Sequence, residues 1–215
     1  MSKTVVDLYT LIRQRCSDDI VLEYVKKRKE VITCRDTCLT YISNHLQQTL
    51  EHRKWLYFAF LLISESLTGR DREKLYQLIL HHDLSKFSAV EIIGYSLKFG
   101  RKGRELSNPS NIALWELALK HHYLHNAHHP QHRADNKMST IYLMESIVDM
   151  LACRMQRVLA GHAESTTEAI FNVPLTFLQR YTEKDRKKVM FYLSSWSADV
   201  LSSTQRTSLG KTLLT

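Results

Sequence analysis

The sequence predicts an all-α protein, and three observations carry that prediction. Three prolines and six glycines are spread over 215 residues, so obligatory breaks are few. Apolar residues recur at helical spacing, and no run alternates with the two-residue period of a strand. The ends of those stretches carry helix-capping residues. The expected architecture is a compact multi-helix bundle, with a helical extension over residues 1–40, a core over 41–165, and C-terminal helices with a loose tail over 166–215.

Each element follows from its ends. Between Ser17 and Thr68 there is neither Gly nor Pro, so a long helical region is expected, broken once near "TCRDT". Its stretch from Leu39 to Ile63 is dense in apolar residues, as in a central helix. Gly69 is expected to close that region and Asp71 to cap the next helix, which runs to about His82. "SAVE" (Ser88 to Glu91) reads as a capping box opening a helix to Phe99. Gly100 and Gly103 flank a basic turn. Asn108 at N-cap and Pro109 at N1 open a helix reaching the His122 region. Ser139 can cap a helix to Leu159, whose Ile141, Met144, Val148, Leu151, Met155 and Val158 form an apolar stripe. "TEKD" (Thr182 to Asp185) opens a last helix, expected to end near Ser202.

Composition narrows the class. The longest apolar run, "WLYFAFLLI", is too short to cross a bilayer, and "MSKTVVDLYT" lacks the apolar region of a signal peptide. An intracellular, cytoplasmic protein without a membrane partner is the expectation. Cysteines 16, 34, 38 and 153 are scattered and contain no C-x-x-C pair, so they read as reduced thiols. The net charge of +8 favours an anionic partner. Nucleotides, nucleic acid and acidic membrane surfaces are the candidates, but the basic residues are dispersed as on solvated helix faces and form no nucleic-acid motif, so nucleic acid is possible without motif support. Long apolar helices also permit a homodimer.

The chemistry lies in histidine and carboxylate residues. Of the eleven histidines, six fall within residues 121 to 132, "HHYLHNAHHPQH". Read alone, that tract is a polar surface loop, or a zinc site made by His121, His125 and His128 at helical spacing. Three other places carry the same residue types. His52 sits on the central helix, His82 and Asp83 end the apolar run of "ILHHDLSKFS", and Asp149 lies beside Val148 of the apolar stripe, with Glu145 one turn earlier. A buried His-Asp pair is costly unless something satisfies it. Helical bundles assemble metal sites from such groups on facing helices. Imidazole with carboxylate suits a divalent Mn, Co, Ni, Fe, Zn or Mg ion, one or two in number.

The order His52, then His82-Asp83, then Asp149 resembles the HD-domain superfamily of metal-dependent phosphohydrolases, and the intervals are similar to those of its compact nucleotidase branch. More closely, "LEHRKW", "HDLSKFS", "W…HH…N-x-HH" and "VDMLA" together resemble a family of small uncharacterised phage and bacterial proteins, over roughly residues 45 to 160. The chain departs from that pattern at Pro130, His132 and Met150, where aromatic residues are common. Those changes are expected to reshape the pocket and leave the ligands intact.

The resemblance implies an HD-like bundle in which His52, His82, Asp83 and Asp149 bind the metal. It implies that Lys86 of "HDLSK" faces phosphate and that His122, with His128 or His129, serves as leaving-group acid, supporting donor or ligand to a second metal. Asp83 or Asp149 would orient the attacking water. Asn126 would position a ring or donate to phosphate, and Arg101 and Lys102 of "GRKGR" would attract the anion. The implied function is metal-dependent hydrolysis of a nucleotide, cyclic nucleotide or other phosphodiester. Its rivals are a non-catalytic nucleotide-binding or regulatory module and an HD-type diiron oxygenase.

Overall fold

A computed structural model describes residues 35–99, 109–135, 137–159 and 167–212. These residues are all-α, with no strand among them. The helices are α1 (Arg35–Ile63), α2 (Gly69–His81), α3 (Ala89–Phe99), α4 (Pro109–His125), α5 (Thr140–Leu159), α6 (Thr167–Phe171), α7 (Leu175–Leu178) and α8 (Glu183–Thr212). Short 3-10 turns lie at Ser64–Ser66, Leu84–Phe87 and Pro130–His132. Among the described residues no helix is long and apolar enough to cross a membrane. The N-terminal extension before residue 35 and the basic turn holding Arg101 and Lys102 lie outside the described residues.

The chain forms two compact units. One holds the described residues up to Leu50 together with Asp83–Asn126, and the other holds Glu51–His82 together with the described residues from Ala127 onward. The boundary therefore falls within α1 and again at the His82-Asp83 peptide bond.

In the first unit, α3 and α4 pack through Val90, Ile93 and Leu97 against Leu114 and Leu117, with Ile42 of α1 against the cluster. The two helices meet closely at Gly94. A Cβ there would stand 2.6 Å from the carbonyl oxygen of Leu114 and press on the Cβ of Ala118. The turn Leu84–Phe87 packs on both helices. Asp83 enters it with φ 57° and ψ 18°, a left-handed conformation that among L-residues Asp and Asn adopt most readily. Ser88 caps α3 through the amide of Glu91 at 3.3 Å.

In the second unit, Leu56, Ala59, Phe60 and Ile63 of α1 share one core with Leu75 and Ile79 of α2. Leu143, Ile147 and Leu151 of α5 and Val189, Leu193, Trp196 and Val200 of α8 complete it. Burying each large aliphatic side chain contributes roughly 1.5–3 kcal/mol. The stripe expected on α5 faces this core, with Met144, Val148 and Leu151 buried and Ile141 and Met155 packed against them. The Thr182 hydroxyl caps α8, accepting from the Asp185 amide at 3.2 Å and donating to the Asp185 carboxylate at 3.1 Å, and that carboxylate also accepts from the amide of Met138 at 3.3 Å.

Three boundaries differ from expectation. The cap of α2 is Thr68, which accepts from the Asp71 amide at 3.2 Å and donates to its carboxylate at 2.9 Å. Asp71 is thus the partner of the cap. Gly69 opens α2, the preceding helix having ended at Ile63. The last helix passes Ser202 and runs to Thr212, because no proline interrupts it and serine and threonine are only weakly unfavourable in a helix.

Candidate metal centre

Within the second unit, three separate stretches bring titratable side chains together. His52 comes from α1, His82 directly follows α2, and Glu145 and Asp149 lie one turn apart on α5. The Nε2 atom of His52 is 3.0 Å from Oδ1 of Asp149, and Nε2 of His82 is 3.9 Å from the same oxygen. One ligand atom from each of His52, His82 and Asp149 falls within 4.8 Å of the others. Ligands held at about 2.1 Å in tetrahedral geometry are themselves ~3.4 Å apart, so the measured separations bracket what a divalent ion needs.

The ring orientations fit the same purpose. Nδ1 of His82 donates to Oε1 of Glu145 at 2.9 Å, and Nδ1 of His52 donates to Oε1 of Gln156 at 3.2 Å. With both Nδ1 atoms engaged, each ring turns Nε2 toward Asp149. Acceptors behind the rings are the usual way in which proteins set the tautomer of metal-binding histidines. The backbone of His82 is held as well. The Arg53 guanidinium donates to the carbonyl of His82 and, at 2.7 Å, to that of Leu80. These carbonyls lie at the end of α2 and need donors from outside the helix.

Electrostatics follow from the placement. Burial works against the Asp149 anion, but its hydrogen bond to His52 and the charges of His52, His82 and His128 hold its carboxyl well below the usual range. Burial likewise opposes ionisation of Glu145, and His128 and His82 outweigh it, so its carboxyl is also lowered. Burial pulls the His52 imidazole down, yet contacts with Asp149 and Cys153 raise it well above its ordinary value. His82 is fully buried, whereas His52 and Asp149 keep some exposure, which leaves the site open on their side.

His128 joins this group. It is buried, its Nδ1 lies 3.5 Å from Glu145, and its ring centroid is 4.1 Å from that of His82. His82, His128 and Glu145 form a second grouping with ligand atoms within 4.8 Å. His129 is half-buried with its ring against that of His128.

The remaining expected residues belong to the first unit and form a network there. Lys86 pairs with Asp83 and sits 5.2 Å over the ring of Tyr95. His122 places Nε2 3.4 Å from Asp83, and its Nδ1 donates to Glu91 at 2.9 Å. The other oxygen of Glu91 accepts from His121 at 2.7 Å. Burial disfavours the Glu91 anion, but these two histidines lower its carboxyl nonetheless. Asn126 donates to Ser85 and to the carbonyl of His122, both at 2.7 Å. His125 turns back to the carbonyl of His121 at 2.8 Å.

Several of these roles were not read from the sequence. The sequence marks Glu91 as the acid of a capping box; half of that box forms, but its side chain turns to His121 and His122. Gln156 and Arg53 act across the fold, and nothing local distinguishes them from surface residues.

The sequence model of a family described as "Family of unknown function (DUF5662)" matches residues 41–213. No curated protein and no solved structure matches the chain.

Proposed function

We infer function from the site itself, because the chain belongs to that family and the family's function is unknown. The reading we propose is a metal-dependent phosphohydrolase of the HD type that acts on a nucleotide, cyclic nucleotide or related phosphodiester. His52, His82 and Asp149 would hold one divalent ion from the group Mn, Co, Ni, Fe, Zn and Mg. The observation that supports it is the convergence of those three ligand atoms within 4.8 Å, with both imidazoles oriented from behind.

When bound, such an ion polarises a phosphoryl oxygen and lowers the pKa of water. The chain's own residues prepare the place. Glu145 and Gln156 fix the rings, Arg53 holds the His82 backbone, and the partial exposure of His52 and Asp149 admits a ligand. The net charge of +8 raises the local concentration of anions.

One observation favours a second reading. Lys86, expected to face phosphate, pairs with Asp83, and His122 is tied to Glu91. With those groups engaged, the chain would serve as a non-catalytic module that binds a nucleotide and keeps the metal for structure.

Elemental analysis of the purified chain, followed by a nucleotide panel assayed with Mn, Co and Mg, separates the two. The hydrolase reading expects phosphate release or ring opening that disappears, with the metal, in His82→Ala and Asp149→Ala. Ligand binding without turnover supports the module, and two irons with oxygen consumption would indicate the oxygenase. Variants that keep full metal content and turnover would remove the site assignment.

A further inference from the structure

The second unit contains a cavity of about 100 Å³ between α5 and the stretch of chain that runs through α7. Met150, Val173, Pro174 and Phe177 give it apolar walls, and Asp149 and Cys153 stand at its edge. Three arginines also line it, yet the surface turned to the cavity is almost wholly apolar. Their charged heads are engaged elsewhere. Arg154 donates twice to the Ala169 carbonyl, at 3.2 and 2.7 Å. Arg180 lies over the ring of Tyr181 at 5.1 Å and donates to its hydroxyl at 3.0 Å. Arg157 is exposed, so its charge is met by water. What the arginines lend to the lining is methylene stem. The Asp149 carboxylate is likewise committed, to His52 at 3.0 Å. Phe177 and Cys153 keep part of their surface exposed, so the cavity opens to solvent on their side.

We propose that this cavity seats one uncharged aromatic ring of a small-molecule ligand. An apolar cavity of about 150 Å³ takes up benzene, so a slightly smaller one with an open side suits a single ring. The Phe177 ring and the Met150 thioether both attract an aromatic group beyond what burial alone supplies, and an alkyl group of equal volume gains less from them. An ionised group would lose its water against walls that return no hydrogen bonds. A nucleobase would leave the donors and acceptors of its edge unmatched there. Asp149 belongs both to this wall and to the proposed metal ligands, so the seated ring lies alongside that centre. The seat itself needs no metal and stands or falls independently of it.

Cys153 is a free, exposed thiol in the lining, so its reactivity reports occupancy. The experiment uses the full chain, with and without a chelator. Fluorobenzene is the probe, and 5-fluorouracil, a polar-edged ring of similar size, is the control. Two readouts are taken: fluorine NMR line width for binding, and alkylation of Cys153 by iodoacetamide, followed by peptide mass, for its place. Fluorobenzene is expected to broaden its line and to slow alkylation at least five-fold in both conditions, and 5-fluorouracil to do neither. Val173→Trp fills the cavity and should abolish both effects. Phe177→Ala removes a wall at a half-exposed position and should require at least five-fold more fluorobenzene for the same protection. Should Val173→Trp fail to fold, Phe177→Ala carries the test. Absence of protection in the wild-type chain, equal protection by 5-fluorouracil, or protection unchanged in the variants that fold would overturn the proposal. Metal content measured on the same samples tests the metal centre separately. Intact protection in a chain that takes up no metal sinks that reading and leaves this one standing.

Discussion

Glu145 accepts a hydrogen bond from Nδ1 of His82 at 2.9 Å, which decides the ring nitrogen that His82 turns to Asp149. Its carboxyl is held low by His128 and His82 despite burial, so it stays an acceptor throughout the physiological range. Glu145→Gln should therefore weaken divalent-metal affinity by about 10–100-fold without removing a ligand, whereas His82→Ala removes metal outright. Competition titration against a chromogenic chelator checks both. Chelation should also lower the wild-type melting temperature, since a ligand that binds only the folded state stabilises it. Unchanged melting on metal removal and unchanged affinity in Glu145→Gln would count against the site.

His45 supplies a pH test in the first unit. Burial, reinforced by the charge of Lys86 and opposed by Glu91 and Asp83, lowers its pKa from 6.5 to about 4. The ring is buried against Tyr95 with centroids 5.5 Å apart. The folded chain thus keeps His45 neutral where the unfolded chain would protonate it. Its contribution is fully present above pH 6.5 and is lost as pH falls from 6.5 towards 4. The loss amounts to about 3 kcal/mol at most. Urea unfolding across that interval should show stability rising with pH, with a flatter profile in His45→Gln. Equal slopes in the two proteins would contradict the assignment.

Gly94 offers a packing test within the first unit. A methyl group there would meet the Leu114 carbonyl at 2.6 Å as well as Ala118, and both belong to a neighbouring helix that cannot yield like a flexible side-chain end. Gly94→Ala should cost about 1–3 kcal/mol, although alanine is the better helix former. The midpoint of chemical denaturation measures it. A neutral or stabilising result would mean that α3 and α4 are not so closely apposed.

Asp83 can be divided into backbone and side-chain contributions. Its φ of 57° costs an ordinary L-residue roughly 1–2 kcal/mol and glycine almost nothing. Both Asp83→Ala and Asp83→Gly delete the carboxylate that meets Lys86 and His122. The glycine variant should nevertheless unfold at a higher denaturant concentration than the alanine variant. The reverse order would argue against the left-handed conformation.

The comparison of sequence with structure turns on which interactions are local. The cap of α3, the proline opening α4 and the stripe on α5 were legible because their partners lie within one or two turns. Thr68 was missed because Gly69 and Asp71 beside it carry louder signals. His52, His82 and Asp149 were legible through their order and chemistry, since such residues rarely interrupt apolar helical stretches without a partner. Gln156, Arg53 and Glu91 were not legible as site residues. What they contribute depends on a ring or carbonyl brought near by tertiary packing, and no spacing rule encodes that.

The interleaved make-up of the second unit bears on how the protein is made. Leu56, Ile63, Leu75 and Ile79 leave the ribosome well before Leu143, Ile147 and Trp196, the groups that cover them in the finished core. A nascent chain paused between those segments displays a greasy surface with nothing to bury it against, a condition that invites chaperones and aggregation. Slow translation downstream of residue 82 would prolong that vulnerable interval, so yield in a cell-free system should depend on elongation speed and on added chaperone.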